Sequence, residues 1–203
     1  MFKTLQPLVL ASESPRRKDL LFCSGLEFLV EPSKIVESAE SAGPGAVGKS
    51  PAEFARKWAC LKAGSVGALH PGSWILGADT IVVLDGRIFG KPSESSEAVE
   101  MLQTLSGRVH EVITGICLIG PGGKPGRAGS VATRVCFKHL SKREIEAYVG
   151  TGEPMDKAGA YGIQGIGAFL VRYIEGSYTN VVGMPLCEVL EWLIEENIIE
   201  PAK

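Results

Sequence analysis

The sequence predicts an α/β fold in which a mixed β-sheet is flanked by helices. Three observations lead there. Short β-type apolar runs alternate with capped helical segments along the chain, the order expected of a layered α/β architecture. Tight turns send some of these runs straight back, so antiparallel returns are interleaved with helical crossovers. A chain of 203 residues is long enough for one sizeable core, or for two closely joined lobes.

The elements follow in order. Leu8-Val9-Leu10-Ala11 reads as a short buried strand, and Ser14-Pro15 as the N-cap and first helical position of a helix closing near Gly25. Glu27–Val30 offers a second strand, and the Gly/Ser/Pro-rich stretch from Ser38 to Lys49 reads as a loop. Ser50-Pro51-Ala52-Glu53 is a capping box that opens a helix towards Gly64–Ala68. Trp74–Leu84 is a strong strand signal, turned by Asp85-Gly86 into a return through Arg87–Phe89. A helix from about Ser96 to Leu105 carries Val99, Leu102 and Leu105 on one face and stops at Gly107.

Val109–Ile119 and Val131–Phe137 are predicted as strands joined by the Gly/Pro-rich loop Gly120–Gly129, read as a hairpin tip. Ser141-Lys142-Arg143-Glu144 is a second capping box, opening a helix to about Val149. Gly150 to Gly167 is too rich in glycine for a regular element. Ala168–Ile174 returns as a strand, and Pro185–Glu196 closes the chain as an amphipathic helix. With no internal repeat and no separating linker, residues 1–203 read as a single domain.

Composition narrows the function classes. A net charge of −2 argues against a protein that grips nucleic acid by bulk electrostatics, and no basic face with interleaved aromatics suggests an RNA-binding module. The five cysteines are scattered, odd in number and without a CxxC pair, which fits a reducing cytosol better than a disulfide framework or a zinc site. No run approaches the roughly 18 apolar residues of a membrane span, and Leu8–Ala11 is too short for a signal core. A soluble, cytoplasmic protein is expected.

Polar residues at strand ends mark the candidate chemistry. Ser12-Glu13-Ser14-Pro15-Arg16-Arg17 places two arginines in the first turn of a helix, where the dipole mildly disfavours cations. A pair of guanidinium groups beside open helix amides suits a polyanion such as phosphate; an ordinary capped helix with solvated arginines is the alternative. Gly77-Ala78-Asp79-Thr80 puts an aspartate within an apolar run, where a buried carboxylate needs a partner, amides to cap, or a cation. Glu37, uninformative alone, could join Asp79 in a two-carboxylate arrangement that holds a divalent cation against phosphate oxygens. Lys62 and Lys91 gain weight only from this company. In Asp156-Lys157-Ala158-Gly159-Ala160-Tyr161-Gly162-Ile163-Gln164-Gly165, small residues imply close packing, and Gln164 could pair with a nucleobase edge. A tight structural loop with solvated ends is the alternative there.

Together these segments resemble the Maf family of nucleoside triphosphate pyrophosphatases. The resemblance runs nearly the whole chain, from Ser-x-Ser-Pro-Arg-Arg through Glu37, Ala59-x-x-Lys62-Ala63, Gly77-Ala78-Asp79-Thr80, Lys91-Pro92 and Leu105-Ser106-Gly107. It continues through Asp156–Gly165 to Val182-Gly183-Met184-Pro185-Leu186. The departures are a long Ser38–Lys49 loop and Val36 where an acidic residue is frequent.

The resemblance implies an elongated mixed β-sheet flanked by helices, two lobes with a central cleft, and a cytoplasmic homodimer. It also implies hydrolysis of a nucleoside triphosphate to the monophosphate and pyrophosphate with a divalent metal cation, Mg²⁺ or Mn²⁺. Asp79 would be the catalytic base, and Glu37 and Asp79 the metal side. Lys62, Lys91, Arg17 and Lys157 would neutralise triphosphate charge, with Ser12 also on the substrate. Arg16, Thr80 and Gln164 match the branch that acts on dTTP and UTP, and would read the pyrimidine. A nucleotide-binding regulator of cell division with little turnover would use the same residues.

Overall fold

Trp74–Leu84 is an 11-residue strand in which every position except Thr80 is buried, as a central strand covered on both faces requires. The computed structural model to which it belongs describes residues 1–35 and 50–202. In chain order the elements begin β1 (Phe2–Thr4), β2 (Leu8–Leu10), α1 (Pro15–Cys23), β3 (Leu29–Val30) and α2 (Pro51–Gly67). Next come β4 (Trp74–Leu84), β5 (Arg87–Phe89), α3 (Ser95–Leu105), β6 (Val109–Gly120) and β7 (Lys124–Phe137). The chain ends with α4 (Lys142–Gly150), β8 (Val171–Glu175), α5 (Tyr178–Val182), α6 (Leu186–Glu195) and β9 (Ile199–Pro201). Seven strands form one sheet in the order β3-β2-β4-β6-β7-β8, with β5 paired to β4. It is mixed: β2 runs parallel to β3 and β4, whereas β4–β5 and β7–β8 are antiparallel.

The chain divides into two compact units. The first comprises Met1–Asp79, Thr114–Val131 and Gly183–Lys203. Its core follows the two-residue period of its strands. Leu8, Leu10, Leu76, Ile116 and Leu118 pack with Val189 and Leu193 of α6. The intervening Val9, Ile75 and Cys117 pack instead with Ala59, Ala63 and Val66 of α2. Helix α2 lies close to the strands because two glycines admit it. A Cβ at Gly77 would stand 2.3 Å from the Ala59 carbonyl oxygen, and one at Gly115 would stand 2.2 Å from the Ala55 carbonyl carbon. The predicted capping box of α2 is present, with Ser50 Oγ accepting from the Glu53 amide and the Glu53 carboxylate accepting from the Ser50 amide.

The second unit comprises Thr80–Ile113 and Ala132–Val182. Val82, Leu84, Val112, Val135 and Phe137 supply the strand side of its core. Helix α3 covers them with Ala98, Met101, Leu102 and Leu105, and α4 with Ile145, Tyr148 and Val149. The Asp85-Gly86 turn has both φ values positive (51° and 77°), as a two-residue hairpin of primed type demands. The Ser141–Glu144 capping box also forms as predicted.

Several expected boundaries moved. The Gly120–Gly129 loop shrinks to a short turn over Pro121–Gly123, and β7 begins at Lys124. Gly126 and Gly129 are residues of β7. A Cβ at Gly126 would stand 2.3 Å from the Leu118 carbonyl oxygen, so the turn-former composition reflects close packing instead of a loop. The expected Glu27–Val30 strand is confined to Leu29–Val30, and Ala168–Leu170 belongs to a 3-10 turn before β8. Neither α5 nor the β1–β9 antiparallel pair, which joins Phe2 to Pro201, was anticipated. The Ser38–Lys49 loop lies outside the described residues. No helix among the described residues is long and apolar enough to cross a membrane.

Candidate functional site

The first unit gathers Ser12, Arg16, Arg17, Lys62 and Asp79. Strand β2 pairs in parallel with β4, Leu10 opposite Leu76, and the Ala11 amide continues the ladder to the Leu76 carbonyl at 2.8 Å. That register carries buried Ser12 alongside the Ala78–Asp79 stretch. Ser14 occupies the N-cap position of α1, yet its side chain makes no capping bond. Ser12 Oγ instead accepts from the Ser14 amide at 3.3 Å and from Arg17 Nη1 at 3.0 Å. Arg17 Nε donates to the Gly183 carbonyl at 2.8 Å. The first-turn arginine therefore ties the Ser12 segment to the Val182–Leu186 segment, two stretches far apart in sequence. No acidic residue occupies the first turn of α1, so the positive end of that helix is met by guanidinium groups, not carboxylates.

Lys62 and Asp79 form a salt bridge of 2.6 Å, with side-chain exposures of only 12% and 7%. Lys62 sits on α2 one turn beyond Ala59, and the close approach allowed by Gly77 brings its ammonium to Asp79, which lies in the middle of β4 and not at a strand end as expected. As a carboxylate, Asp79 can only accept: from an ammonium, from water, or from a proton in flight. A buried carboxylate beside an ammonium, with guanidinium groups in the same unit, is suited to phosphoanhydride chemistry. Glu37, the other expected carboxylate, lies outside the described residues. Among the described residues no cluster of three His, Cys, Asp or Glu could hold a metal ion.

The second unit gathers Thr80, Lys91, Lys157 and Gln164. Thr80 is the single half-buried residue of β4, and Val82 lies on the same face two residues on. The Gly159 amide donates to the Gly90 carbonyl at 3.0 Å, which joins the Gly90-Lys91-Pro92 segment to the Asp156–Gly165 segment. Gly159 has φ +69°, and a Cβ there would stand 2.9 Å from a Val82 methyl group, so that segment rests directly on β4. Lys157 Nζ donates to the Glu153 carbonyl at 2.5 Å and to Asp156 Oδ1 at 2.6 Å. Lys91 and Gln164 are exposed.

Three residues of this unit escaped the sequence reading. The Glu153 carboxylate accepts from the Tyr148 hydroxyl at 2.9 Å, the Gly167 amide at 2.9 Å and the Ile166 amide at 3.0 Å. Only Pro154 behind it and glycines around it hint that Glu153 lies in a packed turn. His110, a lone histidine in an apolar strand, is buried beside Phe137 and Tyr161 and shares a 2.8 Å hydrogen bond with the Tyr161 hydroxyl.

Burial lowers the His110 pKa from 6.5 to about 4. An unfolded chain takes up this proton near its ordinary value, while the folded chain resists until about pH 4. Stability from this group is therefore complete above pH 6.5 and is lost as pH falls through the window down to about 4. His110→Gln, which does not titrate, is expected to flatten the fall in unfolding free energy over that window, measured by urea denaturation. An unchanged slope would show that the histidine is hydrated.

The family model for Maf-like proteins matches residues 7–196. A protein of Desulfotalea psychrophila named dTTP/UTP pyrophosphatase is 47% identical over 199 residues, covering 98% of this chain and 99% of its own length. One of Geobacter metallireducens with the same name is 51% identical over 184 residues, covering 91% and 93%. A third, from Moorella thermoacetica, also bears that name and is 49% identical over 189 residues, covering 93% and 94%.

Proposed function

Because the chain belongs to the Maf family, we propose that it hydrolyses dTTP and UTP, or modified pyrimidine nucleotides, to the monophosphate and pyrophosphate. The names of relatives about half identical over nearly their whole length support the substrate class. The observation that carries the chemistry is the buried Lys62–Asp79 pair.

Water attacks the α-phosphorus, the α–β anhydride bond breaks, and pyrophosphate leaves. Asp79 orients this water and takes its proton. Lys62, Lys91, Lys157 and Arg17 offset the charge on the triphosphate, the positioning and electrostatic work that dominates phosphoryl transfer. Ser12 fixes the Arg17 guanidinium from one side and the Gly183 carbonyl fixes it from the other. Arg16, Thr80 and Gln164 read the pyrimidine.

The donor set fits a divalent cation that arrives with the nucleotide. Mg²⁺ keeps several waters and is held by one or two carboxylates plus substrate phosphates, and Asp79 supplies one such buried carboxylate. Glu37 would supply the second. When bound, Mg²⁺ or Mn²⁺ would neutralise charge on the phosphate oxygens. The resemblance also supports a cytoplasmic homodimer.

Pyrophosphate release from a panel of nucleoside triphosphates, with Mg²⁺, Mn²⁺ and Co²⁺, tests this reading. dTTP and UTP are expected to lead. A strong purine preference would overturn the base assignment. Tight binding without turnover would favour a nucleotide-responsive regulator of cell division instead.

A further inference from the structure

Gln164 lies on a loop whose two ends are clasped by one pair of side chains. The Tyr148 hydroxyl accepts from the Gly162 amide at 3.3 Å on one side of Gln164. It donates to Glu153 Oε1 at 2.9 Å. That carboxylate accepts from the Ile166 and Gly167 amides on the other side, at 3.0 and 2.9 Å. The closure is tight. A Cβ at Gly167 would stand 2.4 Å from both the Gly162 carbonyl oxygen and the Tyr148 hydroxyl. Gly165 adopts φ +75°, and a Cβ there would stand 2.8 Å from Glu153 Oε2. Tyr148 itself is 2% exposed and packed into the core of the second unit.

We propose that Glu153 is a positioning residue for base selection, holding the 162–167 loop so that Gln164 meets the nucleobase edge in one orientation. This rests on the proposed assignment of Gln164 to the base. The chemistry of the clasp needs a carboxylate. Two backbone N–H groups and one hydroxyl converge on it, and only a group with two accepting oxygens receives all three. Burial would raise the Glu153 pKa, but the Gly167 and Ile166 amides and the Tyr148 hydroxyl outweigh it and hold the group below its ordinary value. The backbone carbonyl of the same residue accepts from Lys157 Nζ at 2.5 Å. Its side chain, by contrast, accepts only from the Tyr148 hydroxyl and the Ile166 and Gly167 amides among the hydrogen bonds described.

Glu153→Gln is the discriminating change. In either orientation of its amide, an NH₂ group faces the Ile166 or the Gly167 N–H, so one anchor of the loop is lost while side-chain volume is kept. Pyrophosphate release is measured with UTP, CTP and GTP, in the wild-type and in a Gln164→Ala background. Residues within one hydrogen-bonded network couple strongly, so the kcat/KM ratio of UTP over CTP is expected to fall about tenfold, chiefly through the KM for UTP. With Gln164 already removed, the same substitution should leave the ratio unchanged. Equal losses with all three nucleotides in both backgrounds would overturn the proposal, since that is what a merely structural residue does. Should Glu153→Gln fail to fold by circular dichroism, Tyr148→Phe goes through the same cycle: it keeps the ring and removes only the hydroxyl. Coupling to Gln164 supports the clasp, and additivity overturns it. A wild-type enzyme without preference for UTP would defeat the base-reading assignment and this inference together. A preference kept intact in Glu153→Gln would defeat the inference alone.

Discussion

Asp79→Asn is expected to lower pyrophosphate release by about three orders of magnitude, within the range seen when a general base or a key electrostatic group is removed. Asparagine preserves the shape of the side chain and one accepting oxygen towards Lys62, which lies 2.6 Å from Asp79 Oδ1. It cannot take a proton from water. Binding of dTTP, followed by calorimetry, should therefore survive while turnover collapses. Rapid turnover in this variant would remove Asp79 from the chemistry and leave it a structural partner of α2.

Lys62→Met carries the second large effect. The Lys62 stem crosses from α2 to the middle of β4, and both charged groups are almost fully withdrawn from water. Removing the Lys62 ammonium takes the 2.6 Å salt bridge from the buried Asp79 carboxylate, and breaking a buried pair from one side costs about 3–5 kcal/mol. The loss would be read from urea unfolding at neutral pH. Methionine fills nearly the same space, so the charge and not a cavity is responsible. Combining Lys62→Met with Asp79→Asn removes both charges and should recover much of that stability, without recovering activity. A loss well under about 1 kcal/mol in the single variant would mean that the pair is hydrated and behaves as a surface ion pair.

These two experiments separate what the pair does for the fold from what it does for the reaction. Arg17 raises the same issue in another form. Its guanidinium is bound by Ser12 Oγ and by the Gly183 carbonyl, so it organises the first unit whatever it does to phosphate. Of the two adjacent arginines, alike on the sequence, Arg17 is held at two points within the first unit.

Much of the architecture was legible because its causes are local. Capping boxes at Ser50 and Ser141, the Asp85-Gly86 turn and the apolar run Trp74–Leu84 are each decided within a few residues. Glycine misled where its cause was distant. At Gly126 it reports the approach of the Leu118 carbonyl, and so a strand was taken for a loop. The terminal pair of strands has a similarly distant cause, since Phe2 and Pro201 pair across nearly the whole length of the chain.

For the candidate site, the sequence by itself determined which residues to consider. Polar residues set against apolar periodicity and glycine-rich turns drew attention to Ser12, Arg16, Arg17, Asp79 and Gln164, and the family resemblance added roles for Glu37, Lys62, Thr80, Lys91 and Lys157. Only the tertiary structure decided their partners. Lys62 meets Asp79 across 17 residues, Arg17 meets Gly183 across 166, and Glu153 gathers amides 13 and 14 residues away. A hydrogen bond requires donor and acceptor within about 3 Å, and that distance is set by chain closure and packing, which no local pattern encodes. Glu153 shows the difference best: unremarkable among the exposed glutamates of the sequence, it becomes the centre of a loop once three donors converge on it.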